Sequence, residues 1–348
     1  MSAERDARGV DLDPRVLAWL AEEALPGARI VSSTLLSGGF VNENLLLVTD
    51  TGRRCVLRRY LRPDGQATCA VETALAQRVR GVVPVAVVVA AEPSGRVVDE
   101  PLLLSEFVTG TLASTALIGG EDPGGLGVAM GRALASIGTV AFAAPGFFTG
   151  PDLRTSADGM AGGLADFVAE CLAKGNADDA LSADERRDLV ALAKDAQPLV
   201  TASAGVSRLV HSDYNPKNVL VDRVSGRWAV TAVLDWEFAF SGHPLADVGN
   251  LLRFAVDYPP EFVEGVLAGF REGGGELPAD WRATAEALDL FALADLLTRP
   301  PDSPLFDKVV AVVRDRLRGW TDHNSQPEHN GSTEHKGRTE QNGTEHNG

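Results

Sequence analysis

The chain has 348 residues, 45% of them hydrophobic, and a mean hydropathy of −0.01, enough apolar material for two domains or lobes but without the run of roughly 18 apolar residues that a membrane span needs. A formal charge of −16 and a pI near 4.8 argue against nucleic acid or an anionic membrane as partner, because both would be repelled; a cationic small molecule would be favoured, although net acidity also serves solubility alone. Three scattered cysteines, Cys55, Cys69 and Cys171, exclude a disulfide framework and a zinc ligand set, and the charged start MSAERDARGVDLD lacks the apolar core of a signal peptide, so a cytoplasmic address is expected.

Residues 1–13 read as a disordered arm, and 14–109 as a strand-rich N-terminal lobe. Alternation and β-branched residues predict strands over Arg29–Leu36, Leu45–Thr49 and Arg53–Tyr60, the last two joined by a turn at Asp50-Thr51-Gly52. A helix is expected over Ala67–Val79. Two more strands follow, Val85–Ala91 and Val97–Phe107, around a turn at Pro93-Ser94-Gly95. Five strands and one helix make a small antiparallel-sheet lobe.

From Gly110 to Trp320 the pattern changes to helical periods, as in GLGVAMGRALASIG, SADERRDLVALAKDA and DWRATAEALDLFALADLL, which predicts a larger helical lobe and an α+β class overall. Within it the short strands Asn218–Val221 and Trp228–Leu234 flank a turn at Arg223–Gly226, a hairpin standing alone among helices. Residues 321–348 repeat TEHKG, TEQNG and TEHNG almost without apolar side chains, so disorder is expected. Five acids against two bases give that tail a net of −3, which leaves −13 on the folded body.

The chemistry concentrates in HSDYNPKNVL, where His211, Asp213 and Asn218 fall in the order H-x-D-x-x-x-x-N directly after the strand Arg208–Val210. Phosphoryl transfer needs a carboxylate beside the attacking hydroxyl and an amide oxygen on the metal that neutralises the phosphates, and this loop supplies both. A structural loop with a helix cap is the bland alternative. Seventeen residues past Asn218, the apolar strand AVTAVLD ends at Asp235, and a strand end fixes a ligand rigidly. Mg²⁺ takes one or two carboxylates together with phosphate oxygens and water, so Asp235 and Asn218 make a plausible ligand pair, with Asp213 as base. Glu237 could join directly, through water, or not at all. Asp247, opening HPLADVGNLL, reads as a scaffold residue capping backbone amides.

HSDYNPKN followed by LDWEFAFSGHPLADVGNLL resembles the aminoglycoside phosphotransferase and choline kinase group, over roughly residues 30–320. The resemblance implies a bilobal, protein-kinase-like fold, with a nucleoside triphosphate between the lobes, Mg²⁺ as cofactor and a hydroxyl-bearing small molecule in the helical lobe. It makes His211 a scaffold residue. SGGFVNEN puts Ser37, Gly38, Gly39 and Phe40 where such enzymes carry a phosphate-covering loop, although a plain hairpin turn would read the same. Arg58 stands where protein kinases carry lysine, on the same strand face as Val56, with Glu72 as partner; arginine keeps the charge and adds a bidentate fork. Asn215 departs from the lysine or histidine of relatives, and Lys217 could supply the missing positive charge.

Between the lobes, backbone groups of Glu106, Phe107 and Val108 would meet a purine, which leaves ATP and GTP undistinguished. The resemblance points to an antibiotic acceptor, an aminoglycoside or sugar-bearing nucleoside, and hence to resistance by inactivation. A metabolic kinase for choline, a sugar or an amino alcohol is the nearest rival, and a catalytically dead binding protein is a more distant one. No D-F-G or A-P-E segment follows Asp235, which argues against a protein kinase.

Overall fold

The structure, a computed structural model, describes residues 9–36, 42–156 and 162–324. The expected Ser37–Phe40 loop lies outside these residues, as does the tail beyond Asn324. Chain order begins with helix α1 (Pro14–Trp19), which Asp13 caps by accepting the Arg15 N–H at 2.8 Å. Strands β1 (Ile30–Leu35), β2 (Asn42–Thr49), β3 (Arg54–Tyr60), β4 (Val88–Glu92) and β5 (Leu102–Glu106) form one antiparallel sheet in the order β1-β2-β3-β5-β4. Helix α2 (Gly65–Val79) crosses between β3 and β4.

The alternation of the strands decides which element covers which face. Leu45, Leu47, Cys55, Leu57, Leu102 and Leu104 pack with Val16, Trp19 and Leu20 of α1 and its continuation. Each fully buried leucine there contributes about 1.5–3 kcal/mol. Tyr60, Cys69 and Leu103 form a smaller cluster involving α2, the same helix that carries Glu72.

Two expectations for this lobe need correction. Residues 9–13 are not a disordered arm: Gly9 bridges Thr34, and the Val10 N–H bonds the Ser33 carbonyl at 3.1 Å, so the segment joins the edge of β1. The last two strands are shorter than expected, because the Glu92 carboxylate accepts the N–H groups of Ser94 (3.2 Å) and Arg96 (2.9 Å) and winds the chain into a loop before β5 begins.

The second lobe opens with β6 (Thr111–Leu112), α3 (Ala113–Gly119) and α4 (Pro123–Gly138), followed by β7 (Gly146–Phe148) and β8 (Thr155–Ser156). Then come α5 (Leu164–Ala173), α6 (Ala183–Ser203), β9 (Arg208–Val210), β10 (Val219–Val224), β11 (Arg227–Val233) and β12 (Phe240–Gly242). Helices α7 (Leu245–Leu252), α8 (Pro260–Glu272), α9 (Trp281–Leu296) and α10 (Phe306–Asn324) complete it. Helix α10 runs through Asn324, past the expected start of the tail at Thr321.

The hairpin expected to stand alone does not: β6 pairs with the free edge of β10, giving the order β11-β10-β6, and β9 belongs to a second sheet, β8-β7-β12-β9. Strands of two or three residues carry no readable alternation. Helices α4 and α8 approach closely because Gly127 and Gly131 face Gly265 and Gly269; a Cβ on Gly131 would stand 2.1 Å from the Val266 carbonyl oxygen. One core cluster lies under α4, α7, α8 and the hairpin, and another joins α5, α6, α9 and α10. No described helix is long and apolar enough to cross a membrane, and the three cysteines are free and buried.

Candidate active site

The loop from β9 to β10 is held from three sides. His211, fully buried, bonds the Leu234 carbonyl through Nε2 at 2.9 Å and accepts the Asp213 N–H on Nδ1 at 3.3 Å, which defines a neutral ring with its proton on Nε2. Burial drives its pKa down to about 4. Asp247 on α7 accepts the N–H groups of His211 (2.8 Å) and Ser212 (2.7 Å). It therefore caps this loop rather than its own helix, and burial raises its carboxyl to about 7 against the pull of the two amides. Tyr214 anchors the loop's far side by donating its hydroxyl to the Met130 carbonyl of α4 at 2.8 Å. Ser212 and Asp235 both take left-handed backbone, φ 69° and 66°, a conformation with a cost for side-chain-bearing residues.

Within that frame the Asp213 carboxylate lies between two amides. Asn218 Nδ2 donates to Oδ2 at 2.7 Å, and Asn215 Nδ2 donates to Oδ1 at 2.9 Å. Burial pushes the Asp213 carboxyl up to about 6, opposed by the Asn218 bond and reinforced by the charge of Asp235. Because Nδ2 of Asn218 also bonds the Asp213 carbonyl at 3.0 Å, its Oδ1 is the end left for a cation. The Asn218 carbonyl accepts the Leu234 N–H at 2.8 Å, so Asn218 and Asp235 are tied one residue apart across the β10–β11 ladder.

Asp235 in turn meets the first lobe. Arg58 Nη2 lies 2.8 Å from Asp235 Oδ1, 3.3 Å from Glu237 Oε2 and 3.4 Å from Glu72 Oε1. Glu72 also accepts the Tyr60 hydroxyl at 2.6 Å; its burial raises the carboxyl to about 7, against the Arg58 charge. Arg59, on the opposite face of β3, pairs with Glu43 at 2.6 Å instead. Oxygens of Glu72, Asp235 and Glu237 lie within 4.8 Å of one another, a hard-oxygen set of the kind Mg²⁺ prefers. Three buried polar atoms around this point have no hydrogen-bond partner among the described residues: Arg58 Nε, Glu72 Oε1 and Asn42 Oδ1. Such atoms suit a site that takes up a charged, oxygen-rich ligand.

Of the residues assigned to the purine, the Glu106 N–H bonds the Val87 carbonyl at 2.8 Å and the Phe107 N–H the Arg54 carbonyl at 3.2 Å. Those two donors are committed to the sheet, which leaves Val108 as the N–H donor of the segment. Phe107 lies under the Arg54 guanidinium at 3.9 Å, and Val56 is half-buried on β3, paired with Ser105 of β5. Lys217 is exposed, and its backbone N–H donates to Asn215 Oδ1 at 2.9 Å.

Sequence reasoning missed Asn42, whose Nδ2 reaches Glu237 Oε2 at 3.0 Å across the lobes. The available signal was an amide flanking a charge at the start of an otherwise apolar strand. It also missed Arg253, nine-tenths buried, which holds Asp289 through Nε and Nη2, the latter at 2.6 Å, and which lowers the Asp213 carboxyl electrostatically.

A five-stranded sheet with one crossing helix, a helical lobe and a catalytic-type loop between them define a kinase-like fold. The sequence profile of the phosphotransferase enzyme family, APH, matches residues 32–287, and the chain belongs to that family. Among solved structures, a thermostable mutant of aminoglycoside phosphotransferase APH(4)-Ia, in ternary complex with ADP and hygromycin B, is 20% identical with a TM-score of 0.61, covering 87% of this chain and 98% of its own. Aminoglycoside 2'-phosphotransferase-IIIa in its GDP complex is 17% identical with a TM-score of 0.62, covering 87% and 97%. A protein from Thermobifida fusca YX-ER1 assigned as a fructosamine-3-kinase is 17% identical with a TM-score of 0.58, covering 87% and 98%. No curated protein matches the chain.

Proposed function

We propose that this protein transfers the terminal phosphoryl group of ATP or GTP to a hydroxyl of a small molecule. The observation that carries the reading is the Asp213 carboxylate, held between Asn215 and Asn218 on a loop whose Asn218 is tied by backbone to the residue preceding Asp235. Asp213 accepts the proton of the acceptor hydroxyl as the oxygen attacks phosphorus. Asn218 Oδ1 and Asp235 would hold Mg²⁺, which when bound neutralises charge on the phosphates. Arg58, braced by Glu72, grips phosphate oxygens with its fork. Val56 and the Glu106–Val108 segment line the base side, with Val108 donating to the purine. In this reading residues 14–109 bind nucleotide and 110–320 carry the catalytic loop and acceptor site.

The acceptor we favour is an antibiotic, an aminoglycoside or sugar-bearing nucleoside, inactivated by phosphorylation. Support comes from the family, from fold likeness to aminoglycoside phosphotransferases and from the acidity of the body. A second reading, a metabolic small-molecule kinase, is supported by the likeness to the protein assigned as fructosamine-3-kinase. Incubation with Mg·ATP or Mg·GTP and a panel of aminoglycosides, nucleoside antibiotics, amino alcohols and glycated amines, read by mass spectrometry for the gain of one phosphoryl group, separates them. Absence of any phosphorylated product with either nucleotide across a broad panel would count against the phosphotransfer reading.

A further inference from the structure

We propose that Asn42 and Glu237 form a positioning pair that keeps the Arg58 guanidinium on Asp235 and the phosphate side of the cleft; the inference rests on the phosphotransfer reading above. Asn42 is the first residue of β2, and its Nδ2 donates to Glu237 Oε2 at 3.0 Å over a sequence separation of 195 residues. The same oxygen accepts Arg58 Nη2 at 3.3 Å. Both side chains are about nine-tenths buried, so water does not satisfy Glu237 freely.

A buried carboxylate must find donors, and three compete for one guanidinium: Nη2 lies at 2.8 Å from Asp235, 3.3 Å from Glu237 and 3.4 Å from Glu72. Asn42 meets part of the demand of Glu237 with a neutral amide. Without it, Glu237 would draw Arg58 away from Asp235, because no other donor reaches Glu237 among the described residues. The amide does this at a cost, since its Oδ1 is buried with no hydrogen-bond partner among the described residues. An aspartate of the same shape would offer no donor and would set a second charge against Glu237. With two donors already on Oε2, that oxygen of Glu237 is committed to Asn42 and Arg58.

The test is a reciprocal exchange. Binding of Mg·AMP-PNP and, separately, of adenosine is measured by calorimetry for the wild type, N42D, E237Q and N42D/E237Q. Each single variant is expected to weaken Mg·AMP-PNP about 10- to 100-fold, the range for a lost hydrogen bond to a charged group, with adenosine affinity unchanged. The double variant restores an amide–carboxylate pair of opposite polarity and should return to within about 3-fold of wild type. Asn42→Ala, which removes the donor without adding charge, shows the same selective loss should N42D fail to fold. Additive losses in the double variant, or adenosine affinity falling in parallel with Mg·AMP-PNP, overturn the pair. A wild-type chain that binds neither Mg·AMP-PNP nor Mg·GMP-PNP overturns the phosphotransfer reading itself, and this role with it; where only the guanosine analogue binds, the same comparison is run with Mg·GMP-PNP and guanosine.

Discussion

Arg58 on β3 and Asp235 just beyond β11 meet at 2.8 Å, Nη2 to Oδ1, so the carboxylate assigned to the metal carries an arginine from the opposite lobe. Burial works against that guanidinium charge, but the Glu72 and Asp235 carboxylates outweigh it and raise the Arg58 pKa. Arg58→Met leaves Glu72, Asp235 and Glu237 without a counter-charge, and breaking a buried pair of this kind costs about 3–5 kcal/mol. Added Mn²⁺, without nucleotide, should then raise the melting temperature of R58M markedly and that of the wild type little. Equal metal shifts in both proteins would show that Arg58 does not compete for the site.

Replacement of Asp213 by Ala should lower turnover by about 10²- to 10⁴-fold, the range for a lost general base. Affinity for Mg·AMP-PNP should change far less, because the proposed nucleotide contacts lie on Arg58, Asn218 and Asp235. Stopped-flow turnover beside calorimetric binding separates the two effects; near-normal turnover would remove Asp213 from the chemistry.

Asp247 couples loop geometry to pH. Its carboxyl is raised by burial to about 7, against an unfolded value near 3.8, so the native state binds the proton more tightly than the unfolded chain. Its contribution to stability is full below about pH 4 and is lost as pH rises through about 7. Asp247→Asn removes that titration and one of two amide acceptors, at a cost of about 1–3 kcal/mol. The stability gap between wild type and D247N should be greatest near pH 4, shrink steadily from there and level off above about pH 7 in urea titrations. A gap that widens with pH would mean that the two backbone amides dominate over burial.

The seam between α4 and α8 predicts opposite outcomes for two glycines. Gly131→Ala drives a Cβ to within 2.1 Å of the Val266 carbonyl and should destabilise by about 1–3 kcal/mol. Gly319→Ala, in α10 with nothing within 4 Å of its Cβ, should stabilise by about 0.5–1 kcal/mol. Thermal melts of the two variants check the contrast, and a neutral G131A would mean that the helices separate at little cost.

The fold was legible where patterns were long. Three-four periodicity announced α4, α6 and α9, and alternation placed Arg58 and Arg59 on opposite faces of β3. The two-residue strands β6 and β8 were not legible, because their pairing is chosen by tertiary contact rather than by local preference. Spacing exposed Asp213, Asn218 and Asp235, which lie on one loop and the strand end beside it. Asn42 and Arg253 stayed hidden because what distinguishes them is the side chain they meet, Glu237 at a separation of 195 residues and Asp289 at 36.

The passage from sheet to helices is short and pinned at both ends. At its near end the Phe107 N–H is bonded to Arg54, and at its far end Thr111 pairs with Val221 while the Thr109 carbonyl accepts the Thr231 hydroxyl at 3.1 Å. Gly110, at φ 151°, fits only because it lacks a Cβ, which would stand 2.8 Å from Thr231 Oγ1. Any breathing of the cleft is therefore confined to a hinge of two or three peptide units. A connection this short and this closely bonded suits a stiff hinge between the halves rather than a slack tether.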